Sequence, residues 1–77
     1  MTFKDLRIKS GLTENTAAKK LGIKEATYRK YEYSMRLPGK LILLQMKEVF
    51  KCTGDELLDA FNCHKEVQIK RYGKTNP

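Results

Sequence analysis

The sequence predicts an all-α domain of five short helices, in which the second and third meet as a helix-turn-helix. Three patterns carry that expectation. The stretch Thr13–Ser34 holds apolar residues at helical spacing on both sides of Gly22, and glycine stops a helix readily because it can take a positive φ. Two boxes, Thr2-Phe3-Lys4-Asp5 and Thr53-Gly54-Asp55-Glu56, combine a hydroxyl N-cap with a carboxylate three residues on, so each can satisfy two backbone N–H groups at a helix start. Leu43, Met46 and Phe50 recur at intervals of three and four, the period of one helix face.

The first helix starts after Thr2 and runs to about Ser10, with Phe3 and Leu6 on its inner stripe and Gly11 ending it. Leu12 then folds back toward the core. In the second helix Thr13 is the N-cap, and Ala17, Ala18 and Leu21 give a face small enough for close packing. Ile23 packs into the corner, and a third helix restarts over Ala26–Tyr33 with Thr27, Tyr28 and Tyr31 facing inward. Two helices joined by a turn of about three or four residues containing Gly form the helix-turn-helix signature. Residues 34–39 form a loop, because Pro38 cannot continue a helix and biases Leu37 toward extended backbone.

Gly39 caps a fourth helix, Lys40–Phe50. Its apolar run Leu41–Leu44 cannot lie on one face at 3.6 residues per turn, so apolar surface is left over. A buried strand is the competing local reading, and the following QMKEVF favours helix. The fifth helix starts at the Thr53 box, carries Leu57, Leu58 and Phe61, and ends near Asn62. Beyond it, Val67 and Ile69 alternate with Glu66, Gln68 and Lys70, a period of two that suits a short C-terminal strand or extended tail. Such a strand must pair with a symmetry mate, pack on the helices or stay unstructured. Residues 1–62 are thus the folded domain, 63–77 a tail and dimerisation strand, and 73–77 a frayed end.

A chain of 77 residues with 40% apolar composition supports one folded domain with one small core. It has no run of 18 apolar residues and no signal-peptide pattern, so it is expected to be cytoplasmic and to make no membrane contact. The net charge is +7, and residues 1–40 alone carry ten bases against four acids. That positive half fits a polyanionic partner; a solvated basic surface is the plain alternative. Cys52 and Cys63 match no zinc spacing, and Cys63-His64 lacks further ligands, so two buried or half-buried thiols and no metal or cofactor are expected. With one His, no Gly-rich phosphate loop and no nucleophile beside an evident base, no enzyme is expected. His64 has no role in this reading, Tyr28 and Tyr31 belong to the core, and Lys19 and Lys20 to a solvated face.

In order and spacing, Leu6-Arg7, Gly11-Leu12-Thr13, Ala18, Leu21-Gly22-Ile23, Glu32, Arg36, Pro38, Leu43 and Asp55-Glu56-Leu57-Leu58 resemble the DNA-binding domain of the lambda Cro and repressor (XRE-like) superfamily, over about residues 3–60. The resemblance implies a five-helix lambda-repressor-like fold with recognition helix 24–34 in the major groove, its N-terminal residues at base edges. It puts Glu25, Ala26 and Lys30 at base-reading positions with Arg29 beside them. Lys24, Tyr33, Arg36 and the start of helix two match phosphate-holding positions, and Arg7 and Glu32 match a pair that bridges the first and third helices. The chemistry is consistent: Lys30 can donate to guanine O6 or N7, Glu25 can accept from cytosine N4–H₂, and Ala26 or Thr27 can offer a methyl to thymine. The chain departs from the family at Glu14 (often a phosphate-touching Gln), Lys24 (a small hydroxyl cap), Ser34 (a common Gly), and Lys40 and Lys47 (packed Leu and Ala).

The expected function is sequence-specific regulation of transcription by a small Cro-like repressor of a phage or mobile element, bound to near-palindromic double-stranded DNA. A homodimer is expected through Leu41, Ile42 and Leu44 with Val67 and Ile69, unless the tail covers the fourth helix within one protomer. The alternative is a protein-interaction module, an antirepressor or antitoxin that binds a second regulator. Glu14 and Glu25 favour it by putting negative charge on the DNA face; Arg29, Lys30 and the positive half argue against it.

Overall fold

Three of the five helix starts follow a threonine. The computed structural model describes residues 1–72, which form α1 (Phe3–Lys9), α2 (Glu14–Leu21), α3 (Glu25–Glu32), α4 (Lys40–Val49) and α5 (Gly54–Tyr72). Thr2 Oγ1 accepts from Asp5 N at 3.2 Å while Asp5 Oδ2 accepts from Thr2 N at 2.9 Å. Thr53 and Glu56 repeat the arrangement at 3.1 and 2.9 Å, and Thr13 Oγ1 accepts from Thr16 N at 3.1 Å. Each cap contributes roughly 1 kcal/mol.

The first four helices also end alike. Leu12, Ile23, Met35 and Cys52 donate their N–H groups to the carbonyls of Arg7, Ala18, Lys30 and Lys47, at 3.2, 3.0, 2.9 and 3.3 Å. Each bond closes around one left-handed residue, which satisfies carbonyls the helix leaves open. Those residues are Gly11 (φ 75°), Gly22 (φ 72°), Ser34 (φ 59°) and Lys51 (φ 50°). A residue with a side chain costs about 1–2 kcal/mol in that conformation. Ser34 has a compensation that glycine could not supply: its buried hydroxyl lies 2.6 Å from His64 Nδ1.

The core takes Phe3 and Leu6 from α1, Ala17, Ala18 and Leu21 from α2, and Tyr28 and Tyr31 from α3. Met46 and Phe50 enter from α4 and its C-cap, Leu57 and Ala60 from α5. α2 packs on α3 and α4, while α1 packs on α3 and α5. Tyr28 is wholly buried, edge-on to Phe50 at 6.4 Å between centroids, and burial drives its phenol well above the usual pKa. Its hydroxyl meets no hydrogen-bond partner among the described residues. Arg7 and Glu32, both buried, join α1 to α3: Arg7 Nε lies 2.6 Å from Glu32 Oε2 and Nη2 lies 3.4 Å from Oε1. Arg7 Nη1 also donates to Leu12 O at 2.9 Å.

The C-terminal segment differs from the sequence expectation. α5 does not end near Asn62, and Val67 and Ile69 lie in its continuation rather than in a strand. Leu57, Ala60, Phe61, His64 and Gln68 extend the helical stripe of buried and half-buried residues across that point, and three alternating residues are too few to override it. Two positions apart on a helix subtend about 200°, so Val67 and Ile69 leave α5 on different sides. Residues 73–77, expected to fray, lie outside the described residues.

His64 fastens this extension. Its ring stacks on Phe3 at 4.4 Å and 15°, and Nε2 accepts from Phe3 N at 3.0 Å. The neutral ring therefore carries its proton on Nδ1 and donates it to Ser34 Oγ. Two turns on, Arg71 Nη1 donates to Tyr33 O at 2.9 Å.

Two predictions follow from His64 and Ser34. Burial lowers the His64 pKa below its usual 6.5, so the unfolded chain binds the extra proton first. The stabilisation is complete above pH 6.5 and is lost as pH falls through the lowered folded value, at up to ~1.4 kcal/mol per pH unit. Urea unfolding across pH 7 to 5 should show this slope, and His64→Gln should flatten it; an unchanged slope in the variant would remove His64 as its source. Ser34→Gly and Ser34→Ala both lose the hydroxyl, but only Gly relieves the left-handed backbone. The Gly variant should be the more stable of the two by ~1 kcal/mol, and equal denaturation midpoints would show that the backbone at 34 is not strained.

Candidate nucleic-acid interface

α3 starts without help from its N-cap, since Lys24 makes no side-chain bond to the helix. Its inner face is Tyr28, Tyr31 and Glu32, all buried. The opposite face follows from the helical period: Ala26, Arg29, Lys30 and Tyr33 stand at i, i+3, i+4 and i+7, and all four are exposed. Thr27 is half-buried, which leaves Ala26 as the exposed methyl. Lys24 and Arg36, exposed before and after this stripe, and Lys30 within it make no side-chain hydrogen bond or ion pair among the described residues.

Arg29 differs from these cations because its fork is engaged. Nη2 lies 2.6 Å from Glu25 Oε2, one turn back, and Nε lies 3.4 Å from Glu14 Oε1 at the start of α2. Asn15 Nδ2 donates to the other Glu25 oxygen at 3.2 Å. The two carboxylates raise the Arg29 pKa, the hydrogen bond with Glu14 most. Exposed pairs of this kind contribute little to stability; their effect is orientation. The cluster leaves one uncompensated negative charge between Lys24 and the cationic end of α3.

The residues singled out from sequence thus fall into three places. Lys24, Ala26, Lys30, Tyr33 and Arg36 are outward, and Glu25 and Arg29 are outward but tied to Glu14 and Asn15. Arg7 and Glu32 are paired behind the stripe, in the interior. The leftover apolar surface of α4 is present: Leu41 and Leu44 are 76% and 56% exposed, whereas Ile42 is half-buried against the core. Lys40 and Lys47 are exposed at the rim of a groove of about 320 Å³ between α4 and α5, floored by Leu43, Leu57 and Phe61 and walled by Leu44 and Leu58. Leu58 and Ile69 are also exposed.

Sequence reasoning missed His64, Asn15 and Arg71. For His64 and Arg71 a signal existed in the spacing Leu57, Phe61, His64, Gln68, Arg71, which stays at threes and fours. Asn15 had none, because its partner Glu25 belongs to the next helix. Among the described residues no group of three or more His, Cys, Asp or Glu is arranged to hold a metal ion, and no helix is long and apolar enough to cross a membrane. Cys52 and Cys63 are free thiols, both half-buried.

A protein-family model described as helix-turn-helix matches residues 3–57, from the start of α1 into the first turn of α5. No curated protein and no solved structure matches significantly. With its two central helices meeting at Gly22 and an outward cationic stripe on the second of them, the chain belongs to the helix-turn-helix family of the XRE, Cro/repressor type, and is a DNA-binding transcription regulator.

Proposed function

We propose that this chain is a small Cro-like repressor of a phage or mobile element, acting in the cytoplasm on a near-palindromic operator that it reads with α3. The observation that carries this is the exposed stripe of α3, with Ala26 and Lys30 on it and the unpaired cations Lys24 and Arg36 beyond either end. Lys30 is the donor suited to guanine O6 or N7. Lys24, Tyr33 and Arg36 serve the phosphates, and the Arg7–Glu32 pair keeps α3 at its angle.

The same reading makes the protein a homodimer. Leu41, Leu44, Leu58 and Ile69 supply exposed apolar surface on α4 and α5; Leu58 and Ile69 are three helical turns apart and share one side of α5. Ile42 and Val67 are left out of this contact by their orientation. Two-fold pairing would set the recognition helices ~34 Å apart, one turn of DNA. A second reading, a module that binds another regulator protein, is favoured by Glu14 and Glu25, which neutralise Arg29 on the proposed DNA face. Salt titration separates the two. A DNA reader loses affinity by about 0.9 log units per contacted phosphate for each log unit of salt, and no duplex binding at low salt would leave only the second reading.

Lys30→Ala should reduce discrimination at one base pair of the half-site by ~1–3 kcal/mol. Arg36→Ala should instead weaken specific and random duplexes alike and lower the salt slope by ~0.9. Fluorescence anisotropy on both duplex types checks this, and equal losses on both for Lys30→Ala would show that α3 is not the reading element. Leu44→Glu and Leu58→Glu should give a monomer by light scattering with helical content retained, since each buries a charge in the proposed contact. An unchanged mass relative to a dimeric parent would put the contact elsewhere.

A further inference from the structure

Arg29 occupies the outward stripe of α3, where a guanidinium would ordinarily be counted as a DNA ligand. Two of its three nitrogens are nevertheless committed, Nη2 to Glu25 at 2.6 Å and Nε to Glu14 at 3.4 Å. Releasing it to a phosphate would gain one favourable contact and leave two carboxylates uncompensated against a polyanion. Keeping it in place cancels one of the two negative charges and holds the Glu25 carboxylate from one side. Asn15 holds it from the other, at 3.2 Å.

We propose that Arg29 is a positioning residue that sets base specificity through Glu25, contacting neither base nor phosphate itself. This rests on the reading of α3 as the recognition helix. Each Glu25 oxygen accepts one bond within the protein, and a carboxylate oxygen accepts two. One acceptor site therefore remains on each oxygen, in an orientation held by bonds from two different helices. An ionised carboxylate can only accept, so in the major groove it suits cytosine N4–H₂, is repelled by guanine O6 and N7 and by thymine O4, and meets adenine N6–H₂ only beside the repelling acceptor N7. A glutamate without these supports would sample several rotamers and be pushed from the groove by the phosphates. The array thus converts a residue that opposes DNA binding in general into one that favours a single base.

The test is selection from a random duplex pool, followed by salt titration on the selected site, for the wild type, Arg29→Met and Arg29→Lys. Arg29 is about half exposed, so both variants keep the fold. The wild type should select cytosine at one position of each half-site. Arg29→Met should lose about tenfold or more of the discrimination at that position, keep the preferences elsewhere and leave the salt slope unchanged. Arg29→Lys, which keeps the charge and loses the fork, should be equally flat there. A salt slope reduced by ~0.9 with uniform weakening would make Arg29 a phosphate ligand and overturn the proposal. So would a retained cytosine preference in Arg29→Met, recovery by Arg29→Lys to within threefold of wild type, or a wild-type profile with no cytosine position. Absence of any salt-dependent duplex binding by the wild type would instead remove the reading of α3 itself.

Discussion

The buried ion pair between Arg7 and Glu32 governs how the outward helix is held. α3 has only eight residues, too few to persist as a helix in water without tertiary support. Tyr28 and Tyr31 give it an apolar seat, but an apolar seat tolerates rotation. The Arg7 fork does not: it engages both Glu32 oxygens and the Leu12 carbonyl together. One guanidinium thereby ties together α1, the entry to α2 and the last turn of α3. Removing one partner of such a pair leaves an unpaired buried charge at a cost of ~3–5 kcal/mol, a large share of the total stability of a small domain. The orientation of the presented stripe and the integrity of the fold therefore depend on the same contact.

Much of this was legible from residues alone, and the limits are instructive. Thr2, Thr13 and Thr53 announce helix starts because capping is local, complete within four residues. Gly11 and Gly22 announce helix ends for the same reason. Ser34 and Lys51 do not, because a left-handed residue with a side chain persists only where the surroundings support it. The support for Ser34 comes from a histidine thirty residues away. The strand expected at Val67 and Ile69 rested on three alternating residues, while the longer stripe through His64 set the helix. The site shows the same division. Exposure of Ala26, Lys30 and Tyr33 follows from periodicity, and the Glu25–Arg29 pair is an ordinary i, i+4 relation. The involvement of Glu14 and Asn15 arises from the crossing of α2 over α3, which no local pattern encodes.

The electrostatics of the presented surface explain why net charge alone is a poor guide to it. The chain carries +7 overall, yet the place where the start of α2 crosses α3 holds two carboxylates around one guanidinium. General attraction to a polyanion comes from lysines and arginines spread over the surface. Discrimination needs groups that are unfavourable unless the right partner faces them. A carboxylate held in place beside cations meets that description, and under the role proposed for Glu25 the two tasks fall to different residues.

The hydrogen bond from Phe3 N to His64 joins residues 61 apart, and it bears on cooperativity. Closing a loop of that length costs chain entropy that a contact between near neighbours does not. The Phe3 amide can meet water only when α5 lifts away, so the first and last helices open as one unit rather than fraying separately. The matched family region stops at residue 57, seven positions short of the histidine. In this protein the inherited sequence pattern is shorter than the segment that must fold together.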